Sequence, residues 1–467
     1  MYLAGRIVPS VIGLGGVALY TRLLDPVPIG EYALLLSVTF LVSATAYTWL
    51  RISALRFIAG SAEDELPNLL ATILMAFLVT SIVVGPFIAA ALHIYKPAFP
   101  VSTLALAAAA VIASAWYDLN SSLLQARLSV QSWSILTFCR AVCGVGFSTL
   151  LIFMGLKTNA LLAGFVIANC TALLFVTIWV PAGRGSFDWS ICRRYFRFGW
   201  PQSVGAAQEY AASVGERSIV DTGVGAAGLG IFAVAYNFGS LALSSVIGAV
   251  SLAGIPLAFR AKDRGDSAAL TAQLEANAQL SFAVGLPAMA GLCVLAEPIS
   301  HFVFGPKFWD GASLILAIVA VMSFADNIRA FYFDQAFELS LQMRPQALIS
   351  LVRTVLAVGG CLLLVPRYGA MGAAISALVA SFVSLGLSVW WGPRMLAMPI
   401  PIRDWLKTVF ATGCMGLTLV VIPKTSSVIV LASEVLGGCA LYIAVSVAVR
   451  PALIRTYVRH RFVTVGS

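Results

Sequence analysis

The strongest constraint on this chain is a series of long apolar segments that follow one another with only short hydrophilic breaks. Apolar residues fill 60% of the 467 positions, and charged residues fill 10%. Soluble domains carry about 25% charged residues, and a membrane-spanning helix uses about 20 mainly apolar residues. With a mean hydropathy of +0.94, a soluble protein of this size could not bury its apolar surface. The sequence therefore predicts an all-α polytopic membrane protein and excludes a soluble enzyme, a disordered protein and a single-pass receptor.

The apolar segments divide into fourteen predicted transmembrane spans. They cover residues 2–22, 32–55, 69–92, 101–124, 134–156, 160–181, 199–221, 230–257, 277–300, 311–336, 347–366, 370–392, 405–423 and 428–449. Cytoplasmic loops carry an excess of Lys and Arg, and this division places roughly three in four of the 29 basic residues on the side of the N-terminus. Both termini are therefore predicted to be cytoplasmic. We call the two ends of the helices the arginine-rich and the arginine-poor end.

Metal and nucleic-acid binding find no support in the sequence. Seven of the eight cysteines lie inside apolar runs and none forms a CxxC pair, so they are predicted to be small apolar side chains. The three histidines are too scattered for a metal site. The net charge of +9 is spread over many short loops rather than gathered in a stripe, which argues against a nucleic-acid partner.

The two halves of the chain resemble each other. Five pairs of short motifs occur in the same order in both halves, separated by 200 to 217 positions. They are Gly30-Glu31-Tyr32-Ala33 with Gly230-Ile231-Phe232-Ala233, IYKPAF at 94–99 with VFGPKF at 303–308, Leu124-Gln125-Ala126-Arg127 with Leu341-Gln342-Met343-Arg344, Arg140 with Arg353, and Gly164 with Gly372. A repeat of six spans predicts two parallel lobes related by an axis along the membrane normal, as in alternating-access transporters.

The repeat also predicts the domain organisation. The first lobe, with spans one to six, covers residues 1–183. The second lobe, with spans seven to twelve, covers residues 184–394. Residues 395–467 add spans thirteen and fourteen and a basic cytoplasmic tail.

Several segments carry a resemblance to a known family. They are TRLLDPVPIGEYAL at 21–34, Arg56-Phe57-Ile58-Ala59, FGWPQ at 198–202, GLPAMAGLCVLAEPISHFVFGPKF at 285–308 and VPRYGAMGAAISA at 365–377. Through them the chain resembles the bacterial polysaccharide flippases, the Wzx-type O-antigen and exopolysaccharide exporters. These belong to the multidrug/oligosaccharidyl-lipid/polysaccharide (MOP) exporter superfamily.

The resemblance implies a function and a location. It implies flipping of undecaprenyl-diphosphate-linked oligosaccharide units across the bacterial inner membrane by alternating access, for lipopolysaccharide or exopolysaccharide biosynthesis. It implies no organic cofactor and no catalytic residue, and it leaves coupling to H⁺ or Na⁺ open. The implied partners are the lipid-linked oligosaccharide, the bilayer and a polysaccharide polymerase or export complex.

Two other functions remain open. A cation-coupled multidrug antiporter of the same superfamily would share the two lobes, although such proteins normally have twelve spans. A membrane glycan polymerase or acyltransferase would need catalytic groups on a sizeable loop or in a His/Asp cluster, and the sequence offers neither.

Arginines inside apolar segments are the candidate substrate-binding residues. An ionised side chain costs about 2.5 to 3.5 kcal/mol at the centre of a membrane helix, so it normally faces protein or water. A lipid diphosphate needs cations along its path. The candidates are Arg6, Arg56, Arg140, Arg217, Arg329 and Arg353. The alternatives are snorkelling to the lipid headgroups and, for Arg329, a structural ion pair with Asp326 three residues back on the same helical face.

Acidic residues in the spans are the candidates for ion coupling. A buried carboxylate that binds and releases a proton could couple flipping to the proton gradient. The candidates are Asp118, Glu209, Glu216 and Asp326. Asp118 and Glu209 are the better ones because neither has a basic neighbour three or four residues away. Asp334 and Glu434 are expected to be structural or interfacial.

Overall fold

The computed structural model describes residues 2–58, 61, 64–127, 129–340, 342–422 and 428–449, and the regular elements in these ranges are helices. The α-helices are α1 (Tyr2–Leu23), α2 (Pro26–Ile58), α3 (Leu66–Tyr95), α4 (Val101–Ala126), α5 (Val130–Phe153), α6 (Lys157–Cys170), α7 (Trp189–Asp263), α8 (Ser267–Val294), α9 (Ala296–Val303), α10 (Trp309–Ile328), α11 (Gln335–Leu339), α12 (Met343–Tyr368), α13 (Ala370–Met395), α14 (Ile402–Val421) and α15 (Val428–Val449). Short 3₁₀ helices cover Thr171–Arg184 and Pro306–Phe308, and a π-helix covers Arg329–Phe333.

Twelve helical segments in the described ranges are long and apolar enough to cross a membrane. One of them is α7, whose 75 residues are broken at Gly225 by a left-handed φ of 77°, so that α7 supplies two spans. Within α1, the segment Val8–Leu23 is a shorter apolar helix. The prediction of an all-α polytopic protein with about fourteen spans is therefore confirmed.

The helices pack into two compact units. The first unit comprises Met1–Val234 and Thr354–Ala373. Its core lies where α3 and α4 meet, around the fully buried Leu70, Ile73 and Val111. The predicted lobes, with ends at residues 183 and 394, stay a prediction from the sequence repeat.

The second unit comprises Ala235–Arg353 and Ala374–Ser467. In it α8 packs against α10 and α14. The rings of Phe282 on α8 and Trp405 on α14 stack with centroids 4.6 Å apart. The hydroxyl of Tyr442 on α15 donates a hydrogen bond to the carbonyl oxygen of Ala283 at 2.6 Å. These contacts attach the last two described helices to α8.

Candidate substrate cavity and membrane-embedded charges

A cavity of about 300 Å³ lies within the first unit, next to Arg140. Arg140 lies near the middle of α5, far from both ends of the span. Helix α5 packs against α1 and α6, and glycines on α1 and α5 keep the helices close around the cavity. The polar and aromatic side chains that line it are Tyr20, Tyr32, Thr137, Arg140, Ser148 and Phe165.

The guanidinium group of Arg140 lies against aromatic rings. Its central carbon is 4.2 Å from the ring centroid of Tyr117 and 5.9 Å from that of Phe165. Asp118, the next residue on α4, interacts electrostatically with Arg140 and Arg51. Within the described residues, however, no carboxylate lies within ion-pair distance of Arg140. The N–H groups of Arg140 are therefore not held by an acidic partner.

Arg353, the repeat partner of Arg140, has a different environment. Its Nε donates to Oδ1 of Asp326 at 3.1 Å, and its NH2 donates to Oδ2 of the same carboxylate at 2.6 Å. Such two-bond pairs of arginine and carboxylate are strong and fix the geometry of both groups. The structure thus gives two repeat-related arginines different partners, an aromatic ring for Arg140 and a carboxylate for Arg353.

The predicted pair of Arg329 and Asp326 is wrong. NH1 of Arg329 instead donates to Oδ2 of Asp334 at 2.8 Å, and Ser388 on α13 donates to the other carboxylate oxygen at 2.8 Å. Asp326 is held by Arg353. The π-helix brings Asp334 to Arg329, because the amide of Asp334 bonds to the carbonyl oxygen of Arg329 five residues back. A π-helix inserts one residue relative to an α-helix and shifts the side chains that face each other.

The other predicted site residues are dispersed. Arg56 and Glu209 are exposed, whereas Glu216 is only 5% exposed. NH1 of Arg217 donates to the carbonyl oxygen of Ala33 at 2.9 Å, which links α7 to α2. The side chain of Arg6 lies outside the described residues.

Two glycines of the sequence repeat meet at the arginine-poor end of the first unit. A Cβ atom added to Gly30 would lie 1.9 Å from the carbonyl oxygen of Ala226, and one added to Gly230 would lie 2.0 Å from that of Pro26. The start of α2 therefore touches the second half of α7 backbone to backbone. We call this contact the glycine seam. The repeat marked both glycines, but nothing in the sequence indicated that they would face each other.

An ion pair lies at the same end of the first unit. Nζ of Lys96, just after α3, is 2.7 Å from Oδ2 of Asp221 in α7, and Asp221 is only 8% exposed. The two residues are 125 positions apart, so no local sequence pattern could have paired them. Together with the glycine seam, this pair ties α7 to the loops and helix ends of the first unit.

The bond between Arg353 and Asp326 gives a testable prediction about stability. Breaking a partly buried pair from one side leaves the other charge uncompensated, at a cost of about 3–5 kcal/mol. Arg353→Leu and Asp326→Leu should therefore each lower the free energy of unfolding of the detergent-solubilised protein. The double variant should recover most of the loss, since no lone charge remains. Equal stability of all three variants and the wild type would contradict a structural role for the pair.

Comparison with known proteins places these features in a family. Residues 19–313 match a family described as polysaccharide biosynthesis protein. The chain belongs to this family. That match covers well over half of the sequence and confirms the resemblance stated above. No curated protein matches the chain.

The fold is similar to those of several solved membrane transporters. The structure matches "Lipid II flippase MurJ, inward closed conformation" with a TM-score of 0.78 and 13% identity, over 97% of this chain and 99% of that one. It matches an inward-facing multidrug resistance MATE family transporter of the MOP superfamily with a TM-score of 0.70 and 16% identity, over 84% and 95% of the two chains. A MOP superfamily transporter from Pyrococcus furiosus gives a TM-score of 0.56 at 16% identity, over 85% and 96%. These proteins are transporters or flippases by description, not enzymes.

Proposed function

We propose that this protein flips an undecaprenyl-diphosphate-linked oligosaccharide across the bacterial inner membrane by alternating access, for surface polysaccharide biosynthesis. The observation that carries the proposal is Arg140. Arg140 lies near the middle of the apolar helix α5 and beside a cavity, and no carboxylate in the described residues forms an ion pair with it. A cation in a membrane helix without an acidic partner in direct contact is costly, and the phosphate of an anionic substrate would supply that contact.

Arg140 suits a phosphate group in particular. The guanidinium fork donates two parallel hydrogen bonds to phosphate oxygens, and it stacks on aromatic rings while doing so. The ring of Tyr117 at 4.2 Å would hold the group in place. A volume of about 300 Å³ is at the lower limit for a drug-sized ligand. It therefore admits the diphosphate and the adjoining sugar rather than a whole lipid-linked glycan.

Arg353 is the weaker candidate for substrate binding. Two of its three guanidinium nitrogens donate to Asp326, and a phosphate that binds at these nitrogens would have to displace that carboxylate. We assign Arg140 to the substrate and Arg353 to the structure. Arg6, Arg56, Arg217 and Arg329 remain proposed contributors along the path.

The glycine seam suits a gate at the arginine-poor end. It is closed here, with Gly30 and Gly230 in backbone contact, and substrate release on that side requires α2 and α7 to separate. The positive-inside rule places this end outside the cytoplasm. We accordingly propose a location in the inner membrane with both termini in the cytoplasm, and a polysaccharide polymerase or export complex as the recipient of the flipped unit.

The multidrug antiporter is the second candidate, because its fold is shared. The extent of the matches supports the flippase instead. The match to the MurJ structure covers 97% of this chain, whereas the match to the MATE transporter covers 84%. The difference is about the length of the two additional helices, α14 and α15. A membrane enzyme finds no support from the matched proteins.

Reconstituted flipping tests the function and its coupling together. Proteoliposomes with the purified protein should move a fluorescent undecaprenyl-diphosphate oligosaccharide between leaflets. If the coupling is protonic, an imposed pH gradient should change the rate, and Asp118→Asn or Glu209→Gln should remove that response by abolishing a titratable carboxylate. Glu216 and Asp326 are the further proposed coupling groups.

Matched outcomes separate the parts of this proposal. A sodium gradient in place of the pH gradient tests the other coupling ion. Export of a cationic drug without movement of the lipid would favour the antiporter and overturn the flippase. Flipping that ignores both gradients would refute the coupling role of the carboxylates but leave the substrate assignment standing.

A further inference from the structure

The buried side of α15 carries a glutamate. Within the described part of this helix, only Glu434 and Gly438 are buried, with Glu434 at 4% exposure. The two residues are one helical turn apart and face the same way. Glu434 lies about 9 Å along the axis from the first residue of α15, at about 1.5 Å per residue. The most buried side chain of an otherwise apolar membrane helix is therefore a carboxyl group.

Neither oxygen of this carboxyl group has a hydrogen-bond partner within the described residues, although both are buried. Leu431, on the same side of α15, packs with Leu295, Met415 and Leu419 in an apolar cluster formed with α8, α9 and α14. Glu434 is thus buried on the side of α15 that carries this apolar cluster.

The charged and titratable residues of the packed helices have other positions or partners. On α9, Glu297 and His301 are exposed. On α14, Asp404 and Lys407 form an ion pair near the helix start, and Arg403 is exposed beside them. On α8, Glu275 accepts a hydrogen bond from Gln279, and the thiol of Cys293 donates to the carbonyl oxygen of Ala317.

A lone ionised carboxylate in such surroundings is far costlier than a neutral carboxyl group. The charge must therefore be removed by a bound cation. A hard metal ion needs about six oxygen ligands, which the apolar side chains of the neighbouring cluster do not supply. A proton needs only the carboxyl group itself.

We propose that Glu434 is a proton-binding site of the α14–α15 pair, distinct from the cavity at Arg140. In the state described here the carboxyl group carries the proton as COOH. When the proton leaves, the carboxylate has to move towards water, and α15 loosens from α8 and α14. The hydrogen bond from the Tyr442 hydroxyl to Ala283 then still holds α15 to α8.

Infrared difference spectroscopy on the purified full-length protein tests the site without any transport assay. A protonated carboxyl group has a C=O stretching band apart from the carboxylate bands. The wild type minus Glu434→Gln spectrum should contain this band. The matched control, Glu297→Gln on neighbouring α9, should show no such band, because Glu297 is exposed.

A second variant and a second ion keep the test decisive. If Glu434→Gln does not fold, Glu434→Asp retains a carboxyl group and should keep the band at a shifted frequency. A difference spectrum with carboxylate bands alone would overturn the proposal, and so would a band that vanishes when sodium replaces choline in the buffer. Because no substrate is present, either result is independent of whether the protein flips a lipid.

Discussion

Arg140→Ala is expected to lower lipid flipping by about two to four orders of magnitude. Hydrogen bonds between a charged donor and its acceptor contribute about 1.5–3 kcal/mol, and the substitution removes two of them from the bound diphosphate. The protein should still fold, since the ring contact with Tyr117 is worth only about 0.5–2 kcal/mol and no carboxylate loses an ion-pair contact. Initial flipping rates in proteoliposomes, normalised to inserted protein, give the measurement.

Two variants serve as controls for Arg140. Arg140→Lys keeps the charge but loses the planar fork, so it should retain an intermediate rate. Arg127→Ala removes an exposed arginine from the end of α4 and should leave the rate unchanged. A wild-type rate for Arg140→Ala, or an equal loss for Arg127→Ala, would refute the assignment of the diphosphate to Arg140.

The contrast between Arg140 and Arg353 shows where sequence reasoning stops. The repeat singled out both arginines, and the hydropathy placed both inside apolar spans. These two signals depend on local sequence alone. Which arginine is paired depends on Asp326, 27 positions away from Arg353, and on how two helices pack. The repeat alone predicts equal roles, whereas the structure gives unequal partners.

The π-helix at Arg329–Phe333 limits prediction in another way. The spacing of Asp326 and Arg329 indicated a pair on one helical face, and that inference assumed regular α-helical geometry. The π-helix, which begins at Arg329, instead brings Asp334 within reach of it, and Asp326 is held by Arg353. Glu434, expected from the sequence to be structural or interfacial, is only 4% exposed on α15. Neither the π-helix nor the burial has a local sequence signal.

Gly30→Ala is expected to stop transport by keeping the glycine seam from closing. The added Cβ would meet the backbone oxygen of Ala226 at 1.9 Å, and backbone cannot rotate away as a side chain can. Overpacking of this kind costs about 1–3 kcal/mol, enough to shift a two-state equilibrium by about tenfold or more. The variant Leu229→Cys reports whether the seam is closed, because residue 229 is next to Gly230 and is fully buried in this structure. Its thiol should react with a water-soluble maleimide in the Gly30→Ala background and stay protected otherwise.

Gly230→Ala should act in the same direction, since its Cβ would lie 2.0 Å from the oxygen of Pro26. Gly205→Ala on α7 is the matched control: nothing lies within 4 Å of an added Cβ there, and replacing a helical glycine with alanine usually stabilises by about 0.5–1 kcal/mol. That variant should flip lipid at the wild-type rate with Leu229→Cys still protected.

Alternating access requires each end to close in turn, so a seam that cannot close leaves a protein that binds substrate without moving it onward. Normal flipping by both Gly30→Ala and Gly230→Ala would mean that the seam is a packing contact and that the gate lies elsewhere.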